Sequence, residues 1–167
     1  MKSVRRVVVV TAAVSAALLT GLMAPAASAA TFTAEVVARS SQKCVSVEGA
    51  STQNGAATLQ WDCADAPNQQ WKLVATSAGY YTLRAANSDK CLSVDGASVQ
   101  NGARAIQWGC EGGTNQEWRL VQKDNGYFSV EARHSGKCLS VAGGSQNGAT
   151  LIQYDCVEGP NQHFRLG

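Results

Sequence analysis

From residue 32 onward, apolar residues come in short runs that alternate with polar ones and end at turn residues. Tyr80-Tyr81-Thr82-Leu83-Arg84 and Tyr127-Phe128-Ser129-Val130-Glu131 alternate as half-buried strands do, and Cys91-Leu92-Ser93-Val94 and Ala105-Ile106-Gln107-Trp108 are equally short. Asn54-Gly55, Asn101-Gly102 and Asn147-Gly148 fall between such segments and tolerate the positive φ of a tight turn. No helical period runs through this region. The pattern predicts about twelve short strands and an all-β protein.

The strands recur in register. Cys44, Cys91 and Cys138 are spaced 47 and 47 residues apart, and Cys63, Cys110 and Cys156 are spaced 47 and 46, as are Gln69, Gln116 and Gln162. Three copies, roughly 32–79, 80–126 and 127–167, therefore fill the chain after its first segment. A unit this short cannot bury a core alone, so the three copies must share one. Three are too few for an ordinary propeller, and the period is too long for a β-helix rung. A single β-trefoil of three pseudo-symmetric repeats is the expected fold.

The remaining segment is different. Met1-Lys2-Ser3-Val4-Arg5-Arg6 precedes the apolar run Val7 to Leu19, and small residues follow at Ala27 and Ala29. This reads as a secretory signal peptide over residues 1–29, cleaved after Ala29, which predicts an extracellular protein. Cleavage leaves 11 basic and 12 acidic residues, a net charge of −1. That balance has no electrostatic footprint for nucleic acid and no polybasic membrane patch. No second apolar segment is long enough to cross a bilayer.

All six cysteines follow the signal segment, and an even number in an exported chain predicts three disulfides. Six cysteines allow 15 pairings, of which three respect a threefold cyclic symmetry. The shortest of these keeps each bond within a repeat: Cys44 with Cys63, Cys91 with Cys110, and Cys138 with Cys156. Each would close a loop of about 20 residues and contribute roughly 3 kcal/mol through the unfolded state.

Gln69-Gln70-Trp71, Gln116-Glu117-Trp118 and Gln162-His163-Phe164, each preceded by Asn, resemble the Gln-x-Trp signature of the ricin B-chain type β-trefoil lectins. The resemblance covers essentially the whole chain after the signal segment and extends to carbohydrate-binding modules of secreted actinobacterial glycosidases. It implies a sugar-binding protein with up to three pockets, called α, β and γ. In the family a pocket combines a carboxylate shortly after the first Cys, an aromatic two residues before the second, and the Asn of Asn-Gln-x-Trp. The aromatic positions are held here by Trp61, Trp108 and Tyr154, and the Asn positions by Asn68, Asn115 and Asn161.

The carboxylate position departs from the pattern, with Ser46, Ser93 and Ser140 where the family has Asp. A lone hydroxyl binds vicinal sugar hydroxyls more weakly than a carboxylate does. Glu48 and Asp95, two residues on, would share a strand face with Ser46 and Ser93 and could replace the missing acid. The γ copy has Ala142 there, leaving only Asp155 or Glu158 to approach from the loop. If carboxylates matter, γ is the weakest site.

Trp71, Trp118 and Phe164 are expected in the shared core, with Gln69, Gln116 and Gln162 in structural roles beside them. Gln60, Gln107 and Gln153 could bond sugar or only backbone, and the unmatched His134 and His163 read as surface residues. The cysteine spacing does not suit zinc, and no phosphate-cradling loop or nucleophile elbow appears, so neither metal nor cofactor is expected. The expected protein is a monomeric, non-catalytic lectin whose flat rings stack on sugars, with galactose-type, rhamnose-type and xylan-type ligands all open. The rival reading is a trefoil scaffold that binds protein.

Overall fold

The computed structural model describes residues 31–167, so the signal segment and its cleavage point lie outside the described residues. Twelve strands occur among the described residues. They are β1 (Thr31–Ala38), β2 (Cys44–Val47), β3 (Thr58–Trp61), β4 (Gln70–Ala75), β5 (Tyr81–Ala85), β6 (Cys91–Val94), β7 (Ala105–Trp108), β8 (Trp118–Gln122), β9 (Phe128–Ala132), β10 (Cys138–Val141), β11 (Leu151–Tyr154) and β12 (Phe164–Leu166). Strands β1, β4, β5, β8, β9 and β12 pair in sequence, and β12 returns to β1, which closes a six-stranded antiparallel barrel. The other six form three hairpins, β2 with β3, β6 with β7, and β10 with β11. This is a β-trefoil.

The hairpins share one register, with Cys44 opposite Trp61, Cys91 opposite Trp108, and Cys138 opposite Tyr154. The bonds Cys44–Cys63, Cys91–Cys110 and Cys138–Cys156 fasten each hairpin to the loop that follows its aromatic residue. Pairing within repeats is therefore the arrangement the molecule adopts.

Trp71, Trp118 and Phe164 are fully buried at equivalent places in the core, among Val45, Leu92 and Leu139. A buried indole must satisfy its N–H. Trp71 Nε1 donates to the Val45 carbonyl at 2.8 Å and Trp118 Nε1 to that of Leu92 at 3.0 Å.

Neighbouring repeats share the apolar core and pair barrel strands, and a set of polar side-chain bonds joins them as well. Gln60, Gln107 and Gln153 have no solvent exposure. Each reaches out of its hairpin into the turn of a neighbouring repeat. Gln60 Nε2 donates to the Gly144 and Gln146 carbonyls, Gln107 Nε2 to those of Ser51 and Gln53, and Gln153 Nε2 to those of Ser98 and Gln100. Their Oε1 atoms accept from the hydroxyls of Ser41, Ser88 and Ser135. Of the two roles open to these glutamines, backbone bonding is the one their side chains perform, because burial requires every amide group to find a partner.

Candidate functional site

The first two repeats each build a cleft from the hairpin end and the disulfide loop, and the third repeats the same hairpin and disulfide arrangement. Ser46, Ser93 and Ser140 are buried in β2, β6 and β10. Their hydroxyls are engaged within the wall: Ser46 accepts from Gln69 Nε2 at 2.9 Å, Ser93 from Asn115 Nδ2 at 3.0 Å, and Ser140 from Asn161 Nδ2 at 2.9 Å. Asn68, Asn115 and Asn161 also donate to the carbonyls of Val47, Val94 and Val141. The Asn115 and Asn161 amides thus donate inward twice and the Asn68 amide once.

Gln69, Gln116 and Gln162 hold the opposite wall. Their Oε1 atoms accept from the backbone N–H of Ala64, Glu111 and Val157 at 2.8 Å, and their Nε2 atoms donate to the carbonyls of Asp62, Gly109 and Asp155. One buried amide thereby fixes the disulfide loop at two points. Trp61, Trp108 and Tyr154 rise at the rim and are 48%, 38% and 42% exposed, in contrast to the sealed core aromatics.

Beside two of these rings stands a turn glycine of the preceding repeat in the cycle. A Cβ on Gly148 would lie 4.0 Å from Trp61, and one on Gly55 would lie 3.9 Å from Trp108. These turn glycines have φ near +85°, which side chains disfavour, so it is the turn that calls for glycine, while a Cβ there would only meet the ring at ordinary contact distance. The preceding Asn pins the chain just past the ring. Asn54 Oδ1 accepts from Gly109 N–H, Asn101 Oδ1 from Asp155 N–H and Asn147 Oδ1 from Asp62 N–H, each at 3.0 Å. From sequence the Asn-Gly pairs read only as turns; their threefold recurrence was the signal for this second role.

Glu48 and Asp95 line the α and β clefts together with Ser46 and Ser93. The geometry differs from strand alternation, because β2 and β6 end at Val47 and Val94 and each acid opens a short 3-10 turn. Asp95 is paired with Arg104 at 3.0 Å, whereas Glu48 is exposed with no ion pair. In γ the acids considered from sequence are already engaged. Asp155 binds Lys137 and Asn101, and Glu158 meets Lys123 at 2.6 Å and His163 at 3.2 Å.

His163 is buried rather than on the surface. Its Nδ1 lies 3.3 Å from Arg39 Nη1 and its Nε2 is 3.2 Å from Glu158. Arginine can only donate, so Nδ1 accepts and Nε2 carries the proton toward the carboxylate. His134 is half-buried, with Nε2 2.9 Å from the Ser98 carbonyl.

Lys43 holds the Asp62 carboxyl below the usual range, with help from Asn147, and Lys137 does the same for Asp155 with help from Asn101. A carboxyl lowered on folding stabilises the native state above its unfolded value of about 4, and the gain disappears as pH falls through the folded value. An Asp62→Asn/Asp155→Asn variant is therefore expected to show a flatter fall of melting temperature below about pH 4 than the wild type. Thermal melts from pH 7 to pH 2 check this; parallel curves would remove both pairs from the acid response.

Two groups bring a carboxylate near sulfur, Glu35 with Cys44 and Cys63, and Glu131 with Cys138 and Cys156. The sulfurs are bonded to one another. Neither group therefore offers the thiolate that a metal would need.

The family model described as ricin-type beta-trefoil lectin domain-like matches residues 27–108 and 114–167. A designed threefold symmetric protein, ThreeFoil, is 46% identical with a TM-score of 0.79, over 80% of this chain and 96% of its own. The exo-β-1,3-galactanase 1,3Gal43A from Clostridium thermocellum is 30% identical with a TM-score of 0.78, over 85% of this chain, which spans only 30% of that enzyme. The ricin B-like lectin of Macrolepiota procera, solved in complex with lactose, shares the fold at 19% identity and a TM-score of 0.71, over 81% of this chain and 94% of its own. No curated protein sequence matches. With its family model spanning nearly all of the described residues, the chain belongs to the ricin-type β-trefoil lectin domain-like family.

Proposed function

We propose that this is a secreted, monomeric, non-catalytic lectin that holds neutral glycans in clefts repeated around the trefoil. The observation that carries this reading is the exposure of Trp61, Trp108 and Tyr154 at one register position, with Asn68 and Asn115 lining the clefts of Trp61 and Trp108, while equally large aromatics are sealed in the core. A ring of this kind stacks on the apolar face of a pyranose while the Asn oxygen takes a hydroxyl. Glu48 supplies an unpaired carboxylate to the α cleft, and the pairing of Asp95 with Arg104 makes the β cleft a weaker acceptor. The γ copy relies on Tyr154 and Asn161. The non-catalytic reading is supported by the engagement of Asp95, Asp155 and Glu158 in ion pairs, since glycoside hydrolysis needs two positioned carboxylates. Three disulfides suit an exported protein.

The inward tie of Ser46, Ser93 and Ser140 favours the rival, a protein-binding scaffold whose sugar sites have decayed. A glycan array and a panel of insoluble polysaccharides, including galactans, rhamnans and xylans, separate the two. Saturable binding competed by free sugar is expected. Absence of binding across the panel would leave the scaffold reading in its place.

A further inference from the structure

The α and β clefts differ in size, at about 570 Å³ and about 390 Å³. Three lining positions differ in side-chain size: Glu48 against Asp95, Ala66 against Gly113, and Ala64 against Glu111. The first two place the larger side chain in the larger cleft. Only the third acts in the observed direction.

That position is held identically in both repeats, its backbone N–H bonded to Gln69 or Gln116 at 2.8 Å, so the two side chains start from the same place. Glu111 extends along the cleft edge, where its Oε1 accepts from Trp108 Nε1 at 3.1 Å. The bond ties the side chain to the ring, which is 38% exposed against 48% for Trp61. Ala64 ends at its Cβ, which leaves the indole of Trp61 without an equivalent acceptor and the edge of the α cleft open.

We infer that the residue after the second cysteine of a repeat sets how long a glycan segment its cleft takes. With Ala64 the α cleft takes a neutral disaccharide or longer segment, and with Glu111 the β cleft takes a single terminal sugar. The inference rests on the carbohydrate-binding reading above.

Two single-site proteins test it, a Trp108→Ala/Tyr154→Ala variant that keeps α and a Trp61→Ala/Tyr154→Ala variant that keeps β. Each is titrated with galactose and lactose, and with xylose and xylobiose, following fluorescence of the remaining rim tryptophan. The α protein is expected to prefer a disaccharide over its monosaccharide by at least about fivefold, and the β protein by less than about twofold. Adding Ala64→Glu to the first should bring its ratio below about two, and adding Glu111→Ala to the second should raise its ratio above about five. If Ala64→Glu does not fold, Ala64→Gln supplies the same length without charge and reads the same ratio. Sugar binding with ratios unmoved by the exchange overturns the inference alone. Absence of wild-type binding to these four sugars and to the whole glycan and polysaccharide panel overturns it together with the reading it rests on.

Discussion

A Trp61→Ala/Trp108→Ala/Tyr154→Ala variant is expected to lose retention on insoluble polysaccharide by at least about a hundredfold, while it still folds cooperatively with a melting temperature lowered by about 10 °C. The two halves of this expectation have separate physical causes. The rings lie at the rim, so truncation opens no cavity in the core, but each is more than half buried and its loss costs about 1 kcal/mol. Binding depends on them because each cleft otherwise offers only a few polar groups that water satisfies nearly as well. Sites on one rigid body also act together on a multivalent glycan. Single variants should therefore lose only a few-fold, double variants far more, and the triple variant nearly all. Affinity electrophoresis beside thermal melts checks both halves. Retention that survives in a folded triple variant would place sugar contact elsewhere.

Replacing Gln107 with Leu is expected to cost about 3 kcal/mol and to lower the melting temperature by about 10 °C. Leu fills a similar volume and makes no hydrogen bond. It would leave the Ser51 and Gln53 carbonyls and the Ser88 hydroxyl without the partner that now lies within 2.9 Å of each. An unpaired buried polar group costs about 1–3 kcal/mol, and partial access of the turn to water keeps the sum toward the lower end. Gln100→Leu, at an exposed turn position, serves as the control and should change stability by less than about 0.5 kcal/mol. Near-UV circular dichroism melts provide the measurement. Equal melting of both variants would mean that this glutamine adds nothing to the shared core and the strand pairing that join the repeats.

These two experiments also separate what is readable in the chain from what is not. The threefold period, the short alternating segments and the even cysteine count led to the β-trefoil and its disulfides because they reflect local chemistry repeated at fixed spacing. The positions of Trp71, Trp118 and Phe164 followed from the same period. The equivalence of Trp61, Trp108 and Tyr154 was legible because each sits beside a polar residue at one constant distance from a cysteine, and all three are exposed.

The choice between bonding sugar and bonding backbone at Gln60, Gln107 and Gln153 was not legible. Gln60 meets Gln146 across 86 residues of chain, and only closure of the ring brings a hairpin end against its neighbour's turn. The placing of Gly148 beside Trp61, and the docking of Asn147 on Asp62, are hidden for the same reason. His163 looked like a surface residue because nothing local announces that Arg39, 124 residues away, will cover it. Glu48 illustrates the limit within one repeat, since alternation predicts its face only while the strand continues, and the left-handed turn at Gly49 and Ala50 ends it. The sequence by itself determined the elements, their threefold repetition and the covalent links, because those depend on interactions within some twenty residues. Tertiary structure alone decided which polar groups lock the repeats together and which remain free at the clefts. Whether a given amide is consumed or available depends on partners that only the closed barrel brings within hydrogen-bonding reach.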